Sequence, residues 1–140
     1  MVNANTNMDQ QNQLHILVAE DNEINQKLIQ KILVKAGYAV DIVENGCDAV
    51  AFAGKNRYDF ILMDIQMPKM DGLEATRKIR SLQRNESVNQ SCSIVGLSAH
   101  AMSGDREKYL AEGMVDYLTK PIRPEALQQV LDACASNKSR

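Results

Sequence analysis

The sequence predicts an α/β fold in which a five-stranded parallel sheet carries helices on both faces. Five short apolar runs alternate with stretches of helical periodicity along the chain. Three of these runs are almost wholly apolar over four or five residues, which is typical of strands buried on both faces. Because strict alternation of strand and helix favours parallel strands with helical crossovers, and because 140 residues suit one domain, we expect a single α/β unit.

The five apolar runs are the predicted strands. They lie at residues 15–19, 39–43, 60–63, 94–97 and 115–118. The second and fifth runs each contain an aspartate, Asp41 and Asp116, and we therefore expect these two to be the edge strands.

Helical spacing fills the intervals between the runs. In the first helix Ile24, Leu28, Ile32 and Ala36 recur at four-residue spacing, and Gly37 ends the helix. The fourth helix is predicted at residues 105–111, and residues 83–93 are predicted as a loop. In the other helices the apolar residues are Ala49, Phe52 and Ala53 in the second, Ala75, Ile79 and Leu82 in the third after an Asp71 cap, and Leu127, Val130, Leu131 and Cys134 in the fifth after Pro124.

Composition excludes several classes of protein. The formal net charge of −2 argues against a general binder of nucleic-acid backbones. No apolar run approaches the roughly 20 residues that span a bilayer, and residues 1–13 lack the pattern of a secretory signal. Three cysteines without a close pair fit neither a disulfide framework nor a zinc site, so we expect a cytoplasmic protein.

The two ends of the chain are polar. Seven of the first thirteen residues are Asn or Gln, so residues 1–13 are predicted to be a flexible tail or linker. Residues 135–140 are predicted to be a second tail. The folded domain is therefore expected at residues 14–134.

Polar side chains follow four of the five predicted strands. Glu20 and Asp21 come after the first strand, Asp64 after the third, Ser98 after the fourth and Lys120 after the fifth. Ligands of parallel sheets bind at the carboxyl ends of strands, so we expect these groups to converge. Each acid by itself could be a helix cap or a solvated charge. Together they suit a hard divalent cation beside a transferring phosphoryl group, with a carboxylate as the nucleophile.

These residues lie within motifs that resemble a known family. The motifs are Val-Ala-Glu-Asp-Asn at 18–22, Leu-Met-Asp-Ile-Gln-Met-Pro-Lys-Met-Asp-Gly at 62–72, Leu-Ser-Ala at 97–99 and Tyr-Leu-Thr-Lys-Pro at 117–121. Over residues 14–134 the sequence resembles a two-component response-regulator receiver domain, and it is most similar to the receivers of hybrid sensor histidine kinases. The resemblance implies a flavodoxin-like, doubly wound sheet with strand order 2-1-3-4-5.

The resemblance also implies the roles of the acidic residues. Asp64 would accept a phosphoryl group from a phosphohistidine. Asp21, Asp64 and the backbone carbonyl of Gln66 would bind Mg²⁺ or Mn²⁺, with Glu20 acting mostly through water. Lys120 would pair with the phosphoryl group.

Further roles are implied around this centre. Ser98, where the family more often has Thr, would bond a phosphoryl oxygen and swing inward on phosphorylation, and Tyr117 would change rotamer with it. Gln66 and His100 would tune the lifetime of the phosphoryl group, although His100 could equally be a solvated loop residue. The Lys120–Pro121 bond would be cis, whereas the physics of proline alone favours trans.

Three functions compete. The first is a phosphoacceptor module of a phosphorelay, which performs only its own Mg²⁺-dependent phosphorylation and dephosphorylation and is not otherwise an enzyme. The second is a phosphatase with an aspartyl-phosphate intermediate, which would need an acid at the position of Gln66. The third is a binding scaffold that has lost phosphorylation, which the retention of the acidic residues, Ser98 and Lys120 argues against.

The expected partners follow from the first function. They are a histidine kinase, a histidine-containing phosphotransfer protein, or both, without nucleic acid and without a membrane segment in this chain. We expect a monomer or a weak dimer. Since residues 1–13 are like a linker, we expect the chain to be a segment of a hybrid kinase rather than a complete regulator.

Overall fold

A computed structural model describes residues 13–85, 92–99 and 102–138. Strands and helices alternate along these residues from the first strand to the last helix. The strands are β1 (His15–Ala19), β2 (Ala39–Val43), β3 (Phe60–Asp64), β4 (Ser93–Ser98) and β5 (Asp116–Thr119). The helices are α1 (Glu23–Lys35), α2 (Gly46–Lys55), α3 (Gly72–Asn85), α4 (Asp105–Ala111) and α5 (Pro124–Lys138).

The five strands form one parallel sheet in the order β2-β1-β3-β4-β5, which confirms the predicted fold. β2 and β5 are the edge strands, as their aspartates predict. One apolar cluster packs α1 and α5 against the sheet, and a second packs α2, α3 and α4 against the other face. The central strand β3 is buried along its whole length, since helices cover it on both sides.

The first helix forms where the sequence predicts it, but its buried face differs in part. Asn22 caps α1 by accepting a hydrogen bond from the Asn25 backbone N–H at 3.0 Å. The side chains packed on the sheet are Ile29 and Leu33, both fully buried. Ile24 is 77% exposed and Leu28 is 40% exposed, whereas Ile32 is partly buried against the same cluster, so the predicted stripe faces the core only in part.

The remaining element ends differ from prediction by a few residues. β3, β4 and β5 each extend one residue further toward their carboxyl ends than their apolar runs do. α3 continues to Asn85, into the predicted loop, and α5 continues to Lys138, beyond the predicted start of the tail. Residues 1–12 of the predicted amino-terminal tail lie outside the described residues.

Candidate functional site

An open cavity of about 670 Å³ lies at the carboxyl ends of the strands. The sheet brings its acidic residues together, because β1 and β3 are neighbours and Ala19 pairs with Met63. The residue after Ala19 is Glu20, and the residue after Met63 is Asp64. The cavity is lined by Glu20, Asp21, Asn22, Asn25, Asp64, Gln66, Met67, Pro68, Ala99 and Lys120.

Lys120 joins the two buried acids. Its Nζ atom lies 2.9 Å from Oδ2 of Asp64 and 2.9 Å from Oε1 of Glu20. Lys120 follows β5, two strands away from β3, and its long side chain spans that distance. Its backbone N–H donates to the carbonyl of Ser98 at 2.7 Å, which holds the start of the loop after β5 against the end of β4. The Lys120–Pro121 bond is cis, as the resemblance implies.

The charges of the cavity perturb each other. Burial raises the pKa of Asp64, the hydrogen bond from Lys120 opposes the rise, and the nearby Glu20 charge adds to it, so that the pKa is about 6. Burial alone lowers the pKa of Lys120, but its contacts with Asp64 and Glu20 outweigh burial and raise it. An additional cation would therefore favour the ionised form of Asp64.

The donor set fits a hard divalent cation. One oxygen from each of Glu20, Asp21 and Asp64 lies within 4.8 Å of the others. Glu20 is fully buried, and its Oε1 atom accepts no hydrogen bond among the described residues, although Lys120 contacts it as an ion pair. Three carboxylates facing one ammonium leave a net negative charge, which an oxygen-preferring ion such as Mg²⁺ would neutralise.

The loop after β3 is held close to Asp64 by a glycine. The Gly72 backbone N–H donates to the carbonyl of Ile65 at 2.8 Å. A Cβ atom on Gly72 would lie 2.1 Å from the carbonyl oxygen of Asp64, which is far inside van der Waals contact. The absence of a side chain therefore lets the start of α3 pack directly on the backbone of Asp64. Asp71 caps α3 by accepting from Glu74 N–H at 2.8 Å, as predicted.

Ser98 lies near the acidic cavity without lining it. It is buried at the end of β4 and lines a smaller neighbouring cavity of about 210 Å³. Its Oγ atom is 3.4 Å from the hydroxyl of Tyr109, on α4. Tyr117, on β5, is half-buried, and its ring meets the ring of Tyr109 edge-on with centroids 5.2 Å apart.

Of the two residues predicted to tune the phosphoryl lifetime, the structure describes Gln66 but not His100. Gln66 is exposed and lines both cavities, and its backbone N–H donates to Oδ1 of Asp64 at 3.2 Å. His100 lies outside the described residues.

With this geometry established, comparison with known proteins decides the family. The family model of the response regulator receiver domain matches residues 16–132. The chain belongs to the response regulator receiver domain family. The match covers every strand of the sheet from the second residue of β1 onward, together with all the acidic residues of the cavity.

Curated relatives of this receiver domain are hybrid and sensor kinases. Hybrid signal transduction histidine kinase I of Dictyostelium discoideum is 48% identical over 84% of the chain, and the chain spans 7% of that kinase. The sensor protein GacS of Pseudomonas syringae is 44% identical over 83% of the chain, and the chain spans 13% of it.

Two solved structures of similar receivers contain, respectively, a bound metal ion and a bound partner protein. The receiver domain of a sensor histidine kinase from Pseudomonas aeruginosa holds a magnesium ion in its active-site cleft. Its sequence is 42% identical to this chain, and the two structures superpose with a TM-score of 0.77 over 86% of this chain and 96% of that one. A receiver from Saccharomyces cerevisiae was solved in complex with a histidine phosphotransfer protein; it is 32% identical with a TM-score of 0.77, over 83% of this chain and 84% of that one.

Tyr109, which contacts Ser98, is not predicted from the sequence of this receiver domain to be a site residue. The residue lies in a short helix eleven positions after Ser98, and no motif marks it. Its burial in the apolar cluster with α2 and α3 is the only signal, and that signal appears with the tertiary structure. No helix among the described residues is long and apolar enough to cross a membrane.

Proposed function

We propose that this receiver domain accepts a phosphoryl group on Asp64 from a phosphohistidine of a partner protein. The observation that supports the proposal most directly is the contact of Lys120 with Asp64, at the base of an open acidic cavity. A buried carboxylate paired with a fixed ammonium is a nucleophile placed beside the positive charge that a phosphoryl group requires.

In the proposed reaction, a carboxylate oxygen of Asp64 forms a bond to phosphorus while the bond from phosphorus to the imidazole nitrogen breaks. The electron pair stays on the nitrogen, which takes up a proton, and the product is an aspartyl phosphate. Lys120 pairs with the negative oxygens of the transferring group. Ser98 donates a hydrogen bond to one of those oxygens after its hydroxyl turns toward Asp64.

A divalent cation belongs to this proposal. Asp21, Asp64 and the carbonyl of Gln66 would hold Mg²⁺ or Mn²⁺, with Glu20 acting mostly through water. When bound, the ion supplies charge neutralisation between the carboxylates and the incoming phosphoryl oxygens. The clustering of the Glu20, Asp21 and Asp64 carboxylates around the single ammonium of Lys120 supports this assignment.

The reaction is tested by incubating the protein with Mg²⁺ and acetyl phosphate and measuring its intact mass. The parent is expected to gain one phosphoryl group, and Asp64→Asn or removal of Mg²⁺ is expected to abolish the gain. Asp71→Asn is the matched control, because Asp71 lies in the same loop and Asn caps a helix as well as Asp does. A gain that persists in Asp64→Asn would contradict the proposal. Steady release of phosphate from a simple ester would favour a phosphatase instead.

We propose that the phosphodonor docks on an apolar strip of α1, defined as Ile24 and Leu28. These side chains are one turn apart on the same helix face. Ile24 is 77% exposed, and it lies between Asn22 and Asn25, which both line the acidic cavity. A protein that brings a phosphohistidine to Asp64 would therefore cover the α1 strip. The yeast receiver complex supports a histidine phosphotransfer protein as this partner.

The docking proposal has its own test. Ile24→Ser is expected to slow phosphotransfer from a phosphorylated histidine phosphotransfer protein about tenfold, since interface anchors are commonly worth more than 1 kcal/mol. Phosphorylation by acetyl phosphate should not change, because a small donor needs no docking surface. Val34→Ser is the control, since Val34 is 56% exposed nearly two turns beyond Leu28 on α1. Equal slowing in both variants would reject the α1 strip.

Three further proposals concern the domain boundaries, the cellular location and the oligomeric state. We propose that residues 14–134 act as one receiver unit and that residues 1–13 connect it to a preceding domain of a hybrid kinase. We propose that it acts in the cytoplasm as a monomer or weak dimer. Sedimentation of the protein with and without acetyl phosphate tests the oligomeric state; a stable dimer in both conditions would contradict it.

A further inference from the structure

Tyr109 connects the two residues that are expected to move on phosphorylation. Its side chain is buried, with 5% exposed, on the first turns of α4. Its hydroxyl lies 3.4 Å from Oγ of Ser98, and its ring meets the ring of Tyr117 at 83°. One buried side chain therefore contacts both Ser98 and Tyr117.

The contact places the hydroxyl of Ser98 beside Tyr109, at the smaller cavity. Ser98 and Tyr109 line the smaller cavity together, whereas Ser98 is absent from the lining of the acidic cavity. Either hydroxyl can donate in this contact, but a phosphoryl oxygen only accepts, so Ser98 must give its single proton to a phosphoryl group and can then no longer donate to Tyr109. To bond a phosphoryl group on Asp64, Oγ must turn toward the acidic cavity and away from Tyr109.

The strength of the contact suits a reversible restraint. An O–H···O distance of 3.4 Å is long compared with the usual 2.5–3.0 Å, so the hydrogen bond is weak. A weak bond biases an equilibrium between two positions without locking one of them. The charge-assisted bond to a phosphoryl oxygen is stronger and would win when Asp64 is phosphorylated.

We propose that Tyr109 is a positioning residue of the switch. It retains the hydroxyl of Ser98 in the unphosphorylated position, and the loss of this contact on phosphorylation changes the packing of Tyr109 against Tyr117. The inference rests on the proposed function of Asp64 and Ser98. It adds a component from α4 that links the end of β4 with β5.

The restraint is tested by measuring the affinity for beryllium fluoride, a mimic of the phosphoryl group, in the presence of Mg²⁺. Tyr109→Phe keeps the ring and removes only the hydroxyl. Its affinity is expected to rise about two- to fivefold, since the unliganded state loses a weak hydrogen bond. In a Ser98→Ala background the same substitution is expected to have no effect, because the partner hydroxyl is already gone.

Two other tyrosines provide matched controls. Tyr58→Phe removes a buried hydroxyl that donates to Asp41 at 2.7 Å, at the other end of the sheet. Tyr38→Phe removes a hydroxyl on the opposite face of the sheet, where the Tyr38 ring packs on Phe60. Both should keep the parent affinity, even where stability changes. An unchanged or weaker affinity in Tyr109→Phe, or an equal rise with and without the Ser98 hydroxyl, would overturn the restraint.

The link to Tyr117 is tested separately by fluorine NMR of protein labelled with fluorotyrosine. The resonance of Tyr117 is expected to shift when Mg²⁺ and beryllium fluoride bind, and the shift should shrink at least twofold in Tyr109→Leu, which lacks the ring. An undiminished shift would overturn the link. If the parent binds no beryllium fluoride, the proposed function fails; if it binds and the Tyr109 variants behave as the parent does, only the role of Tyr109 fails.

Discussion

The two ends of the sheet differ in how their polar groups are paired and in how far those groups are buried. At the carboxyl ends, Glu20 and Asp64 share the ammonium of Lys120, and the Asp21 carboxylate lies beside them, so the negative charge exceeds the positive charge. At the amino-end cluster, defined as His15, Asp41, Tyr58 and Asp59, the polar groups find partners. Asp41 accepts from the Tyr58 hydroxyl at 2.7 Å and lies 3.1 Å from His15 Nε2.

The difference shows how one sheet combines stability with a reactive site. Asp59 accepts from the His15 backbone N–H at 2.9 Å, so the amino-end cluster also ties the chain before β3 to β1. Paired polar groups stabilise a fold, whereas uncompensated buried charge destabilises it unless a ligand supplies the opposite charge. The charge of the acidic cavity therefore favours the binding of a cation together with a phosphoryl group, whereas the paired groups of the amino-end cluster do not.

The largest expected effect comes from substituting one residue at each end of the sheet, Asp64 at the carboxyl ends and Tyr58 in the amino-end cluster. Asp64→Asn should abolish phosphorylation by acetyl phosphate, since the nucleophile is lost. Tyr58→Phe should leave phosphorylation intact but lower the free energy of unfolding by about 0.5–1.5 kcal/mol, because one hydrogen bond is lost while water can reach the partly exposed Asp41 carboxylate. Intact mass and urea unfolding measure the two effects. A large loss of phosphorylation in Tyr58→Phe would show that the two ends are not independent.

Magnesium should stabilise the protein through the acidic cavity. At a free concentration one hundred times the Kd, the free energy of unfolding is expected to rise by about 2.7 kcal/mol, because the ion binds only the folded chain. Asp21→Asn should remove most of this rise by deleting a ligand. Asp41→Asn should keep the rise although it lowers the starting stability. Thermal melts with and without Mg²⁺ make the measurement, and a rise that persists in Asp21→Asn would place the ion elsewhere.

A methyl group at Gly72 should disturb the acidic cavity more than one at Gly54. Gly72→Ala places Cβ against the Asp64 carbonyl and is expected to cost about 1–3 kcal/mol of stability and to weaken Mg²⁺ binding. Gly54 lies inside α2, where a Cβ would meet Leu82 at 3.6 Å. Gly54→Ala should therefore stabilise the protein by up to about 1 kcal/mol through helix propensity. Equal effects in urea unfolding would contradict the close approach at Gly72.

The smallest effect is confined to alkaline pH and to the amino-end cluster. Burial, followed by the hydrogen bond to Asp41, raises the pKa of Tyr58 above its ordinary value. The unfolded chain therefore releases this proton first, near pH 10, and stability falls from there with a slope of at most about 1.4 kcal/mol per pH unit. Stability of Tyr58→Phe should fall less steeply above pH 10, whereas Tyr38→Phe should follow the parent. Parallel curves for all three proteins would refute the assignment to Tyr58.

Most of the fold was predictable because the sheet is buried on both faces. The central strands are almost wholly apolar and the edge strands are interrupted only by an aspartate, so the apolar runs predicted β1 and β2 to the residue and the other strands to within one residue at each end. The apolar spacing of α1 predicted the helix but only part of its buried face, since Ile32 packs on the core cluster. Periodicity shows only that a helix has an apolar side; the neighbouring elements decide that Ile29 and Leu33 pack on the sheet while Ile24 faces outward.

The sequence by itself determined that the acids lie at one edge of the sheet, because parallel strands carry their carboxyl ends to the same edge. Once the strands are recognised, the same edge is expected to carry Glu20, Asp21, Asp64 and Lys120, and all four line one cavity there. Only the tertiary structure decided which partner the Ser98 hydroxyl contacts and why Gly72 cannot carry a side chain. Both depend on distances of a few ångströms between separate elements, and such distances follow from packing rather than from any local pattern.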